Sequence, residues 1–120
     1  MIAGNKNAHK DLDLKPTIIV NPDKNCDLMK EEIFGPIFPI ITYTNIDDAI
    51  KYITEEQEKP LVVYYFGTVN GENQTKVSEA TSSGAFVVND CIYQILNHYL
   101  PFGGVGFSGY GRTHGIDGFR

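Results

Sequence analysis

Apolar positions fall into short runs separated by polar breaks, and the runs differ in period. Pro16 opens Thr17-Ile18-Ile19-Val20, a β-branched run stopped by Asn21-Pro22-Asp23, which predicts a strand and a turn. Asp27 to Glu31 predicts one helical turn that delivers the acid pair Glu31-Glu32. Ile37 to Tyr43 is a second apolar run, and Pro39 marks it as an edge strand or a bulge because proline has no N–H for a ladder. Ile46, Ala49, Ile50 and Ile53 recur at helical spacing and make one apolar face. Thr44 or Asn45 caps that helix, Asp47 and Asp48 complement its dipole, and Lys59-Pro60 closes it. Leu61 to Phe66 has no alternation, which predicts a strand covered on both faces, as in a parallel sheet. A weaker helix over Gln74 to Thr81 uses Val77 and Ala80 and ends at Ser83-Gly84. Ala85-Phe86-Val87-Val88 is the last predicted strand, ending at Asn89-Asp90.

The order predicts an α/β fold, a small β-α-β-α-β parallel sheet with right-handed crossovers, followed by a glycine-rich C-terminal loop. Residues 1–15 are polar and read as a tail or loop, and residues 16–120 as the folded part. Two crossovers of one hand place both helices on the same face of the strands. The other face then leaves Val, Tyr and Phe side chains in water, forfeiting about 1.5–3 kcal/mol each relative to burial. Several such losses exceed what a domain of about 5–15 kcal/mol total stability tolerates. More chain, a second copy or a partner is therefore expected to cover that face.

Composition narrows the classes. A chain of 120 residues fits one small domain, and 42% hydrophobic residues are enough for a core. A net charge of −5 with no basic run argues against nucleic acid or an anionic membrane as main partner. Cys26 and Cys91 are too few for a disulfide framework and do not cluster with His9, His98 or His114 at zinc spacing. No apolar stretch reaches the ~18 residues of a membrane span, and no signal-peptide pattern opens the chain. A reducing, cytoplasmic setting with both thiols structural is the expectation.

Two stretches carry candidate chemistry. Glu31-Glu32-Ile33-Phe34-Gly35-Pro36 places two carboxylates before an aromatic ring at the mouth of a strand. An acid there accepts hydrogen bonds from ribose hydroxyls while the ring packs on a flat heterocycle. Taken alone, the hexapeptide reads more readily as a structural turn with solvated acids and a core Phe. The second stretch, Leu100 to Arg112, is glycine-rich, and Gly104, Gly106 and Gly109 match G-x-G-x-x-G by letter. A dinucleotide fingerprint needs a strand before it and a helix after it, and neither is predicted here. The better reading is a close-packed loop in which glycines let backbone lie on backbone and Arg112 bonds to carbonyls or a carboxylate. His98 and His114 read as hydrogen-bonding loop residues, and Tyr64 and Tyr65 as strand rings.

Three blocks in register then carry a family resemblance. Glu31 to Pro36, Ser82-Ser83-Gly84 through Asn89-Asp90, and Leu100-Pro101-Phe102-Gly103-Gly104-Val105-Gly106 with Ser108-Gly109-Tyr110-Gly111-Arg112 resemble the aldehyde dehydrogenase superfamily. Asn89-Asp90 and Thr113-His114-Gly115 are most similar to its class 3, or fatty-aldehyde, branch. The resemblance implies that residues 16–120 are the C-terminal portion of a catalytic domain. It implies that Glu32 holds the nicotinamide ribose of NAD or NADP and that Phe34 packs near the nicotinamide ring. It also implies that Asn89, Phe102, Gly103 and Gly104 are structural residues near the active site. Neither Cys26 nor Cys91 stands in the family's G-Q-x-C context, and the general-base Glu, the oxyanion Asn and the Rossmann half are not in the sequence. Aldehyde oxidation through a thiolate is thus expected of a full-length parent, with no catalytic residue, no metal and at most weak cofactor binding in this chain alone. The competing expectation is a non-catalytic interaction protein, self-associating or pairing with a full-length relative through an exposed sheet face. A nucleotide binder built on the glycine-rich loop ranks last, since a few contacts do not offset the cost of immobilising the ligand.

Overall fold

A computed structural model describes residues 2–3 and 14–119 of the chain. It divides into two compact units, Met1–Thr44 and Asn45–Arg120. In the first, strand β2 (Thr17–Val20) is flanked by β1 (Ile2–Ala3), antiparallel, and by β3 (Ile37–Ile40), parallel. The stretch read as a polar tail therefore contains a short strand, and the rest of it up to residue 13 lies outside the described residues. One helical turn, α1 (Asp27–Lys30), links β2 to β3.

Thr17 N–H donates to Pro36 O at 2.8 Å and Asn21 N–H to Ile40 O at 2.7 Å, so the even-numbered residues of β3 face β2. Pro39 therefore faces the outer edge, where its missing N–H ends the sheet. The four parallel strands lie in two sheets, β1-β2-β3 here and a two-stranded one in the second unit.

The second unit holds α2 (Ile46–Glu55), β4 (Val62–Tyr65), α3 (Glu72–Ala80), β5 (Ala85–Val88) and the short α4 (Tyr93–Leu96). Asn45 caps α2, its Oδ1 accepting from Asp47 N–H at 3.0 Å. Helix α3 starts at Glu72, ahead of the expected Gln74, because Asn70 turns the chain at φ 57° and its N–H donates to Gln74 Oε1 at 2.6 Å. Strands β4 and β5 pair in parallel from Val62↔Ala85 to Tyr65↔Val88. The α/β class, the parallel pairing and the order of elements are as the sequence predicts.

The uncovered apolar face that the sequence predicts is present as well: Leu61, Tyr64 and Phe66, in the run read as a strand that needs cover on both faces, are exposed. Among the described residues Val77 is the buried hydrophobic and Thr17 the buried polar residue. The remaining apolar side chains are half-buried or open to water, so these residues do not enclose a core of ordinary size.

Candidate functional site

The first candidate stretch sits at the end of α1. Glu31 N–H donates to Asp27 O at 2.9 Å and stops the helix, leaving Glu32 one residue beyond it. Two tight turns follow, with Gly35 N–H on Ile33 O and Ile37 N–H on Gly35 O, each at 2.9 Å. They swing the chain into β3 and turn the Phe34 side chain outward, where it is 92% exposed. Phe34 is therefore not a core ring of these residues. Glu32 is exposed as well, and no described residue hydrogen-bonds or ion-pairs with its carboxylate.

The glycine-rich loop has the opposite character. Phe102 and Thr113 form a bridge, with N–H···O distances of 3.0 and 2.7 Å, which closes the loop at its base. A Cβ on Gly84 would strike the carbonyl oxygens of Gly103 and Leu61, and one on Gly103 would strike Gly111 O. Only glycine allows this approach. Gly104 lies against the Ser108 backbone in the same way. Arg112 Nη1 donates to Gly84 O at 3.0 Å and to Gly103 O, tying the loop to the start of β5. The ring of His114 stacks on Phe102 with centroids 5.9 Å apart, and its Nδ1 lies 3.1 Å from Leu100 O. His98 lies edge-on to His114 at 5.1 Å. His114 thus packs and hydrogen-bonds within the loop, and His98 packs against it.

Asn89 closes the C-terminal end of the β4-β5 ladder. At φ 53° it donates its own N–H to Tyr65 O at 2.7 Å. Its amide also clasps the Gly67 peptide, Oδ1 accepting from Gly67 N–H at 2.8 Å and Nδ2 donating to Gly67 O at 2.9 Å. Sequence reading missed the matching device in the first unit. Asn21, at φ 49°, closes the β2-β3 ladder by bonding Thr42 N–H at 2.8 Å and Thr42 Oγ1 at 2.9 Å. The available signal was an Asn directly after each β-branched run, the residue type that best tolerates positive φ.

Also missed was a strained turn at Ile92, a β-branched residue at φ 70° around which Tyr93 N–H bonds Cys91 O at 2.8 Å. Tyr64 steadies it, its hydroxyl accepting from Ile92 N–H at 3.3 Å and Gln94 Nε2 at 2.7 Å. No local pattern signals that turn.

Glu32 and Phe34 thus belong to one unit, and Asn89, Phe102, Gly103 and Gly104 to the other. Both cysteines are free thiols, Cys91 exposed and Cys26 half-buried. Among the described residues no cluster of three metal-ligating side chains occurs. No described helix is long and apolar enough to cross a membrane.

Comparison with known proteins gives consistent matches. The family model described as the aldehyde dehydrogenase family matches residues 1–120. Aldehyde dehydrogenase family 3 member A2 of Mus musculus is 47% identical over 102 residues, which are 85% of this chain and 21% of that protein. The chain therefore spans about a fifth of the length of this curated relative. Among solved structures, Staphylococcus aureus AldH in a substrate-bound state superposes with TM-score 0.85 at 38% identity, covering 98% of this chain and 26% of that one. A Mycobacterium tuberculosis aldehyde dehydrogenase complexed with NAD+ superposes with TM-score 0.77 at 27% identity, covering 97% and 24%.

Proposed function

Because this chain belongs to the aldehyde dehydrogenase family, we propose that it supplies the nicotinamide-facing corner of an active site that oxidises aldehydes to carboxylic acids with NAD or NADP. The observation that carries this reading is the pair of exposed groups on the β3 rim, Glu32 without a described partner and Phe34 with a free ring. Their chemistry fits the group. The two oxygens of a carboxylate suit a vicinal diol, and a bare phenyl face suits a flat heterocycle. When bound, the dinucleotide supplies the hydride acceptor.

The chain's own part is positional. Glu32 accepts hydrogen bonds from the two ribose hydroxyls and fixes the sugar's orientation. Phe34 limits how far the attached ring tilts and excludes water from one side of it. Phe102, Gly103 and Gly104, locked by Arg112, form a backbone wall of fixed shape at the start of β5, and Asn89 holds the C-terminal ends of β4 and β5.

Attack on an aldehyde carbonyl needs a thiolate and a base. Cys26 and Cys91 do not stand in the family's nucleophile context, so residues 1–120 by themselves are inactive in this reading. Association with another polypeptide is the second reading, favoured by the exposed side chains of Leu96, Tyr99 and Phe107.

The test is a graft that replaces the matching quarter of S. aureus AldH with this chain, compared with the same graft carrying Glu32→Gln. Loss of charge-assisted bonds worth about 1.5–3 kcal/mol should lower kcat/KM for the cofactor roughly 10- to 100-fold, with the aldehyde KM little changed. Unaltered cofactor kinetics would remove Glu32 from the site. NADH formation by the 120-residue chain alone, dependent on either cysteine, would overturn the inactivity.

A further inference from the structure

Among the described residues three asparagines stand at positive φ, Asn21, Asn70 and Asn89, and their carboxamides differ in what they do. That of Asn21 is engaged by Thr42, and that of Asn89 by the Gly67 peptide. Asn70 is exposed, and no described residue hydrogen-bonds its carboxamide. Its backbone N–H holds the turn instead, donating to Gln74 Oε1 at 2.6 Å.

The residue that follows each asparagine separates them further. Pro22 follows Asn21, and its ring nitrogen carries no hydrogen to lose. Asp90 follows Asn89 and places a side chain beside the peptide nitrogen. Gly71 follows Asn70, so no Cβ obstructs approach to that nitrogen. The Gly71 N–H is also loosely held, donating to Thr68 O at 3.3 Å, longer than an ordinary N–H···O bond.

We propose that Asn70-Gly71 is a site of spontaneous covalent modification, at which the asparagine loses its amide and the main chain is rerouted through its side chain. The Gly71 nitrogen gives up its proton and attacks Asn70 Cγ. A new C–N bond forms, the Cγ–Nδ2 bond breaks, and Nδ2 leaves as ammonia, taking up a proton. Water then opens the five-membered imide. Cleavage at Cγ gives an aspartate, and cleavage at the main-chain carbonyl gives an isoaspartate, with Gly71 now attached to the side chain. No oxidant or reductant enters, and one water replaces one ammonia.

The site lies where the rerouting is felt. Thr75 N–H closes the first turn of α3 by donating to Gly71 O at 3.1 Å. An isoaspartate adds a methylene between Asn70 Cα and Gly71, so the bonds of Asn70 and Gly71 to Gln74 and Thr68 cannot all be kept. The proposal is independent of the cofactor role of Glu32, which lies in the other unit.

The experiment holds the 120-residue chain in mildly alkaline buffer at body temperature, folded or in urea, and follows each asparagine by peptide mass mapping. In the folded chain Asn70 should convert at least about tenfold faster than Asn21, Asn89 or any other described asparagine, because only it precedes glycine. Its folded rate should stay within about tenfold of its rate in urea, whereas Asn89 should convert at least about tenfold more slowly folded than in urea. The isoaspartyl form, separated by chromatography, is then compared with Asn70→Asp by amide hydrogen exchange. The Thr75 amide should exchange at least about tenfold faster in the isoaspartyl form and stay unchanged in Asn70→Asp, whose main chain is intact.

Earlier conversion of another described asparagine, or a folded Asn70 slowed well beyond tenfold relative to urea, overturns the site. Equal rates for Asn89 folded and in urea overturn the distinction on which it rests. An unchanged Thr75 amide in the isoaspartyl form overturns the consequence for α3. None of these results bears on Glu32.

Discussion

The two parallel ladders are built alike and finished differently. Each is four residues long, and each is locked at its C-terminal end by an Asn at positive φ, Asn21 in one and Asn89 in the other. Beyond that they diverge. Pro39 seals the outer edge of β3, and the loop feeding β3 presents Glu32 and Phe34 to water. The outer edge of β5 is unsealed, while the loop packed at its start is fixed by Arg112 and by glycines that admit no side chain. One unit thus has a finished sheet and an unfinished site, and the other a finished wall and an unfinished sheet. Groups that close a structure and groups that await something are separable residue by residue, and that separation makes the functional reading testable.

The largest effect is expected where backbone meets backbone. Gly84→Ala forces a methyl group into two carbonyl oxygens that belong to different strands and loops, and neither is a flexible side chain that gives way. Destabilisation of about 3 kcal/mol is expected, read from urea titration by circular dichroism. A neutral result would show that the loop does not hold this packing.

Arg112→Met removes two charge-assisted bonds to carbonyls and should cost about 2–3 kcal/mol in the same titration. Arg112→Lys should recover part of this, because both bonds leave the single nitrogen Nη1 and an ammonium also donates more than one hydrogen from one nitrogen.

The likeness of the two ladders is broken or upheld by a matched pair. Asn21→Ala and Asn89→Ala each lose a side-chain clasp and put alanine at positive φ, for about 2 kcal/mol each. Glycine at either position should cost less, since it relieves the backbone. If one Asn proves dispensable, the two clasps are not equivalent devices.

The smallest effect on stability belongs to the rim. Glu32→Gln should change the urea midpoint by no more than about 0.5 kcal/mol, because an exposed, unpartnered side chain contributes little to folding.

Much of this was legible in the sequence, and the rest was hidden for definite reasons. Strand and helix positions follow from periodicity, and the Asn45 cap and the helical turn before Glu31 follow from local chemistry. The close-packed glycine loop and the carbonyl-binding role of Arg112 followed from Pro101 and the lack of a flanking helix, which ruled out a phosphate cradle. The division into two sheets was not legible. Nor was the facing of Pro39, which is set by register with β2 rather than by the run containing it. The Ile92 turn was equally hidden, because a β-branched residue at positive φ contradicts local preference and is held only by distant partners such as Tyr64. Of the candidate site, the outward ring of Phe34 removes it from the core of these residues, a point the hexapeptide alone did not decide.

The central claim, that Glu32 serves the cofactor and not the fold, is tested most directly by thermal melting of the S. aureus graft with and without NAD. A ligand that binds the native state raises its melting temperature in proportion to its affinity. The graft and its Glu32→Gln variant should melt together without NAD, and NAD should raise the melting temperature of the parent graft clearly more than that of the variant. Equal increments in both proteins, or a variant that already melts lower without NAD, would contradict the account.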